Sequence, residues 1–86
     1  TVVLHIDMYN TYRVVAEDWE REGPSEQELL VKLREARRPG KSGIKPTQLL
    51  IVANGEALHE KVVTALDAGS DVGMEDVKLV TVEEDG

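Results

Sequence analysis

The stretch that most limits the fold runs from Gln48 to Val82: Gln-Leu-Leu-Ile-Val-Ala-Asn-Gly, an amphipathic segment ending at Gly73, then Val77-Lys78-Leu79-Val80-Thr81-Val82. Leu49 to Ala53 is apolar at every position, as expected of a strand covered on both faces or placed centrally in a sheet. Asn54-Gly55 turns the chain, Asn54 can cap, and Leu58, Val62, Leu66, Gly69 and Val72 recur at helical spacing. Gly69 inside that stripe costs about 1 kcal/mol of helix propensity against alanine, but it would let the helix approach a sheet closely. Gly73 has the position of a left-handed residue just past a helix end, after which Val77 to Val82 forms a strand. Two strands joined by one helix are parallel, with a right-handed crossover in nearly all known cases. A compact βαβ unit is therefore expected in the second half.

The first half supplies the rest of the sheet. Val2, Leu4 and Ile6 alternate with Val3, His5 and Asp7, a period of two. Thr11 to Ala16 is β-branched and aromatic, so these two strands form an antiparallel hairpin closed around Met8 to Asn10. Glu17 to Pro24 is too charged for a core and reads as a connecting excursion, with Trp19 folded back as a lid. Ser25 followed by Glu28 fits a capping box, which starts a helix whose Leu29, Leu30, Leu33 and Ala36 share one face. That helix stops before Pro39-Gly40, and the Gly-, Lys- and Pro-rich stretch from Arg37 to Thr47 has the profile of a surface loop. The expected fold is α+β: two helices on one face of a four-stranded, or five-stranded, mixed sheet in the order β-β-α-β-α-β. The opposite sheet face is then bare and largely apolar, which calls for a partner.

Charge and composition exclude several function classes. Ten basic and seventeen acidic residues give a net charge of −7, which repels phosphate backbones and anionic lipid, so nucleic acid is not an expected partner. The basic clusters Arg34/Arg37/Arg38 and Lys41/Lys45 flank the Gly/Pro loop and read as solvated. With no cysteine there is neither a disulfide framework nor a thiolate metal site. At 86 residues the chain makes one domain, residues 1 to 86, which buries roughly 60–65% of its unfolded surface. No apolar run approaches the ~20 residues that span a bilayer. Thr1 falls at the start of a strand, as expected of a segment cut from a longer chain.

Catalytic and metal-binding sets are incomplete. His5 and Asp7 share a strand face, an arrangement that could orient an imidazole, but nothing else completes a site. His59 lies on the first turn of the second helix beside Glu60, and two histidines without a third ligand at motif spacing do not make a metal centre. There is no Gly-rich phosphate loop, no Gly-x-Ser-x-Gly elbow and no cysteine nucleophile. No enzyme activity, cofactor or metal is expected. Asp67 points away from the apolar stripe by helical count. Tyr9 reads as a turn residue, and Tyr12 and Trp19 as packing against the core.

Taken together, Val62-Val63-Thr64-Ala65-Leu66-Asp67-Ala68, then Val72-Gly73, then Val77-Lys78-Leu79-Val80-Thr81 give the chain a wording that resembles the periplasmic domain of the ExbD/TolR biopolymer transport family. Those proteins show a Val-Val-x-x-Leu-Asp-Ala helix ending at glycine before a Val-x-Leu-Val-Thr strand. The likeness extends back through Leu50-Ile51-Val52-Ala53, the helix from Ser25 to Leu33, and the hairpin of Val3 to Asp7 with Thr11 to Val14. It implies an inner-membrane protein with one transmembrane helix outside this segment and this domain in the periplasm. The implied partners are an ExbB/TolQ-like proton channel subunit, a TonB/TolA-like transducer, a second copy as homodimer and, in the TolR branch, peptidoglycan of the cell wall. In the family the proton-coupling aspartate lies in the transmembrane helix. The chain departs from the family at Ala53-Asn54, where Ala-Asp is usual, and at His59, where an aromatic is common; Asp67 falls on the characteristic aspartate. His59, Asp67 and Tyr12 are the candidate interaction residues. The expected function is that of a non-enzymatic module coupling the proton motive force to envelope transport, with a small-ligand or regulatory α/β domain as the alternative.

Overall fold

The computed structural model describes residues 2–17, 19–23, 25–38, 43 and 46–83. The elements are β1 (Val2–Ile6), β2 (Tyr12–Val15), β3 (Glu20–Gly23), α1 (Glu26–Ala36), β4 (Gln48–Asn54), α2 (His59–Asp71) and β5 (Asp76–Val82). They form an α+β fold with a five-stranded mixed sheet in the order β3-β2-β1-β4-β5. β1 pairs antiparallel with β2 and parallel with β4, and β4 pairs parallel with β5, as the crossover argument requires. The basic loop expected around Lys41 and Lys45, with Pro39 and Gly40, lies outside the described residues, as do Thr1 and Pro24.

Strand alternation decides what is inside. Val2, Leu4 and Ile6 of β1, Tyr12 and Val14 of β2, and Leu49, Ile51 and Ala53 of β4 are all buried, and the register puts them on one face. Against that face pack Leu29, Leu33 and Ala36 of α1 and Val62, Ala65, Ala68 and Gly69 of α2. Burying each large aliphatic contributes about 1.5–3 kcal/mol. β4, apolar from Leu49 to Ala53, is covered on one face only: Leu50 and Val52 on the other side are half-buried.

Helix ends follow local chemistry. Ser25 Oγ accepts from the Glu28 amide at 3.2 Å, which is the serine half of the expected capping box. α2 ends in a Schellman motif, with the Met74 amide bonded to Gly69 O, the Gly73 amide to Ser70 O, and Gly73 at φ +85°. Arg37, at the end of α1, reaches across to donate from Nη1 to Val72 O at 2.6 Å, joining the two helix C-termini. Gly69 has the role the sequence suggests: a Cβ there would lie 2.7 Å from Leu49 Cδ2 and 3.3 Å from Val77 Cγ2. Its absence lets α2 settle onto β4 and β5.

Two expectations need correction. The charged segment after Ala16 is not an excursion. Its residues Glu20–Gly23 form β3, the edge strand beside β2, while Trp19 packs against the core and its carbonyl accepts from the Ala16 amide. Arg13 on β2 supports the pairing, its guanidinium lying 3.4 Å from a Glu20 carboxylate oxygen and 3.5 Å from one of Glu22, half-exposed contacts that add at most about 1 kcal/mol each to the backbone ladder. Charged side chains are also typical of an edge strand. Second, Leu58 does not belong to the buried stripe of α2. It is the N-cap and 50% exposed, and the inward positions are Val62, Ala65, Ala68 and Gly69, with Leu66 only partly buried. The helix begins late because Asn54 first closes an Asx turn, its Oδ1 accepting from the Glu56 amide at 2.9 Å.

Candidate interaction surfaces

Three surfaces present chemistry to a partner. The first is the exposed side of α2. His59 and Asp67 are both exposed, and Val63, 39% exposed, lies between them at four-residue spacing, so the three form one ridge turned away from the sheet. Tyr12 lies elsewhere. It is 1% exposed, beneath α2, with its hydroxyl donating to Lys61 O at 3.0 Å. Burial pushes its phenol above the ordinary value; a hydrogen bond with Thr64 works the other way, and Glu26 and Glu60 add to the rise. A side chain so enclosed holds α2 to the hairpin and cannot touch a partner directly.

The second surface is the β5 edge. β5 pairs with β4 on one side and ends the sheet on the other, so its outer row of backbone N–H and C=O groups faces outward. From Lys78 onward every residue of the strand is exposed, with Leu79 at 44%, Val80 at 46% and Val82 at 39%. Seven residues of strand, with apolar side chains on both faces beside the charged Asp76 and Lys78, make a long edge with which no further strand pairs among the described residues. The sequence shows the apolar run but not its edge position, which depends on strand order.

The third is the open sheet face, which bears a shallow basin of about 600 Å3 over Val15 and Val52, ringed by polar groups that include His5, Asp7, Arg13 and Asn54. Several of those groups are already engaged inside the protein. Asp7 Oδ1 accepts from the Tyr9 and Thr11 amides at 2.9 Å, fixing the hairpin; Arg13 faces its two glutamates; Asn54 holds its turn. His5 and Asp7 thus share the basin, with the aspartate committed to structure. Among the described residues no group of three or more His, Cys, Asp or Glu side chains could hold a metal ion, and no helix is long and apolar enough to cross a membrane. No protein-family model matches the chain, and no curated protein matches it.

Proposed function

We propose that the chain is the periplasmic module of an ExbD/TolR-like inner-membrane complex coupled to the proton motive force, and that it docks an extended segment of a TonB/TolA-type transducer along β5. The observation that carries this reading is the bare β5 edge, which offers main-chain hydrogen bonds in register with apolar contacts on either side, the physical basis of strand addition. The resemblance supports it from the sequence: the helix Val62 to Ala68, its end at Gly73 and the strand Val77 to Thr81 are the segments that build and border this edge. The ridge of His59, Val63 and Asp67 on α2 then flanks the docked segment and tunes the contact, while an ExbB/TolQ-like channel subunit engages the membrane-embedded part of the same protein.

Backbone amide exchange tests the docking step. Adding a synthetic extended transducer segment should slow exchange at outward amides of β5 while leaving β1 and β2 unchanged. Unaltered β5 exchange at saturating peptide rules the mode out. The coupling role has its own test in the full-length protein, where replacing an aspartate of the transmembrane helix should abolish proton-driven activity, and Asp67→Ala should weaken it without unfolding the domain.

A further inference from the structure

A fourth surface lies across one end of the sheet. Ile6, Tyr12, Gly23, Ala53 and Thr81 form the last row that crosses all five strands. Beyond it lie the β1–β2 turn and the segment that leads into α2. The Asn10 amide donates to Asp7 O at 3.0 Å, which makes Met8 and Tyr9 the central residues of a tight turn. Asp7 Oδ1 holds that turn from inside, and the Leu58 amide donates to Asn10 Oδ1 at 2.8 Å, which sets Leu58 beside it. The backbone is thus fixed, yet the side chains it carries are bare: Tyr9 is 80% exposed, Leu58 50% and Met8 42%. No large apolar side chain among the described residues is more exposed than Tyr9.

The charge around this patch is of one sign. Glu56 and Glu60 bracket Leu58 in sequence, and Glu83 lies over the Asn54–Gly55 turn, its Cγ 3.4 Å from where a Cβ on Gly55 would stand. These glutamates are all exposed, and among the described residues none has an ion-pair partner. Lys61, the nearest cation in sequence, is half-buried. Arg34 and Arg37 of α1 sit at the far end of that helix, toward the opposite end of the sheet.

We propose that this end of the sheet is a docking surface for a basic polypeptide segment carrying an aromatic or aliphatic anchor. The anchor packs against Met8, Tyr9 and Leu58, while lysines or arginines on either side of it face Glu56, Glu60 and Glu83. Tyrosine and methionine are enriched at the cores of protein interfaces, and a turn already ordered spares the cost of ordering a mobile loop. The open ring face of Tyr9 also accepts a guanidinium or ammonium group. Charge selects the class of partner: anionic lipid and nucleic acid meet uncompensated carboxylates here. The surface crosses the end of the sheet, whereas strand addition uses the side of β5, so neither reading rests on the other.

Amide NMR titration of the chain with a capped peptide of lysines interrupted by one tryptophan and one leucine tests the proposal. Shifts should concentrate at Met8 to Asn10 and Glu56 to Glu60. Tyr9→Ala, which removes a ring that touches mostly solvent, should weaken binding about tenfold. The same peptide with alanine in place of both anchors should lose a similar factor. Glu56→Gln combined with Glu60→Gln should weaken binding and flatten its dependence on salt. Shifts spread over the whole surface, or confined to β5, overturn the proposal. So does a Tyr9→Ala chain that binds like the parent, an alanine peptide that binds as tightly as the anchored one, or equal binding of a peptide with glutamate in place of lysine.

Discussion

Tyr12 shows how a single residue ties the two halves of the chain. Its ring fills the core on the helix face of β2, and its hydroxyl, forty-nine residues from its partner in sequence, donates to a carbonyl in the first turns of α2. Asn10 makes a second tie nearby, adopting φ 64° in the hairpin and accepting from the Leu58 amide at 2.8 Å. The fold therefore holds the start of α2 against the β1–β2 turn by polar contacts where no side chain caps the helix. Tyr12→Phe should cost about 1 kcal/mol at neutral pH through loss of one hydrogen bond. The pH dependence is the sharper test. Because the folded phenol titrates above its unfolded value of about 10, its contribution is complete below that pH and is lost as pH rises through the raised folded value. Urea melts at pH 8 and pH 11 should show a smaller alkaline loss in Tyr12→Phe than in the parent. An equal loss in both removes the assignment.

At the scale of elements, helix faces distinguish side chains that look alike in the sequence. Leu33 and Leu58 each lie at helical spacing, yet Leu33 is wholly enclosed between α1 and the sheet while Leu58 stands half exposed before α2. Leu33→Ala should cost about 2–5 kcal/mol, and Leu58→Ala under about 0.5 kcal/mol; denaturant midpoints measure both. The βαβ unit, the hairpin and both helices were legible because each carries its own period and punctuation: Ser25 at one helix start, Gly73 at the other's end, alternation in Val2 to Ile6. β3 was hidden because its Glu-Arg-Glu-Gly sequence has no apolar period, and its strand character comes from backbone pairing with β2, to which the Arg13 contacts add. The late start of α2 was hidden by Asn54, which suits a helix cap and an Asx turn equally well. The exposure of Asp67 followed from helical counting, whereas the bare β5 edge and the make-up of the open face exist only once strand order and register are known.

For the whole molecule, net charge and local charge pattern act in opposite directions on self-association. Two copies at −7 each, with centres about 20 Å apart when sheets stack at ~10 Å, repel by several kcal/mol at low salt, where the Debye length is about 30 Å. At physiological ionic strength that length falls to about 8 Å and the repulsion to about 1 kcal/mol or less. Exposed charge pairs at a contact are worth about 0–1 kcal/mol each, so screening a pair or two costs less than screening the net charge gains. Two copies of the chain that meet, as the family resemblance implies, are then held by apolar side chains such as Val3, Leu50 and Val52 of the open sheet face. Self-association should therefore tighten tenfold or more between about 10 mM and 150 mM sodium chloride, the reverse of an interface held chiefly by ion pairs. Sedimentation at the two salt concentrations measures it, and self-association that weakens as salt rises would show that charge pairing dominates the contact.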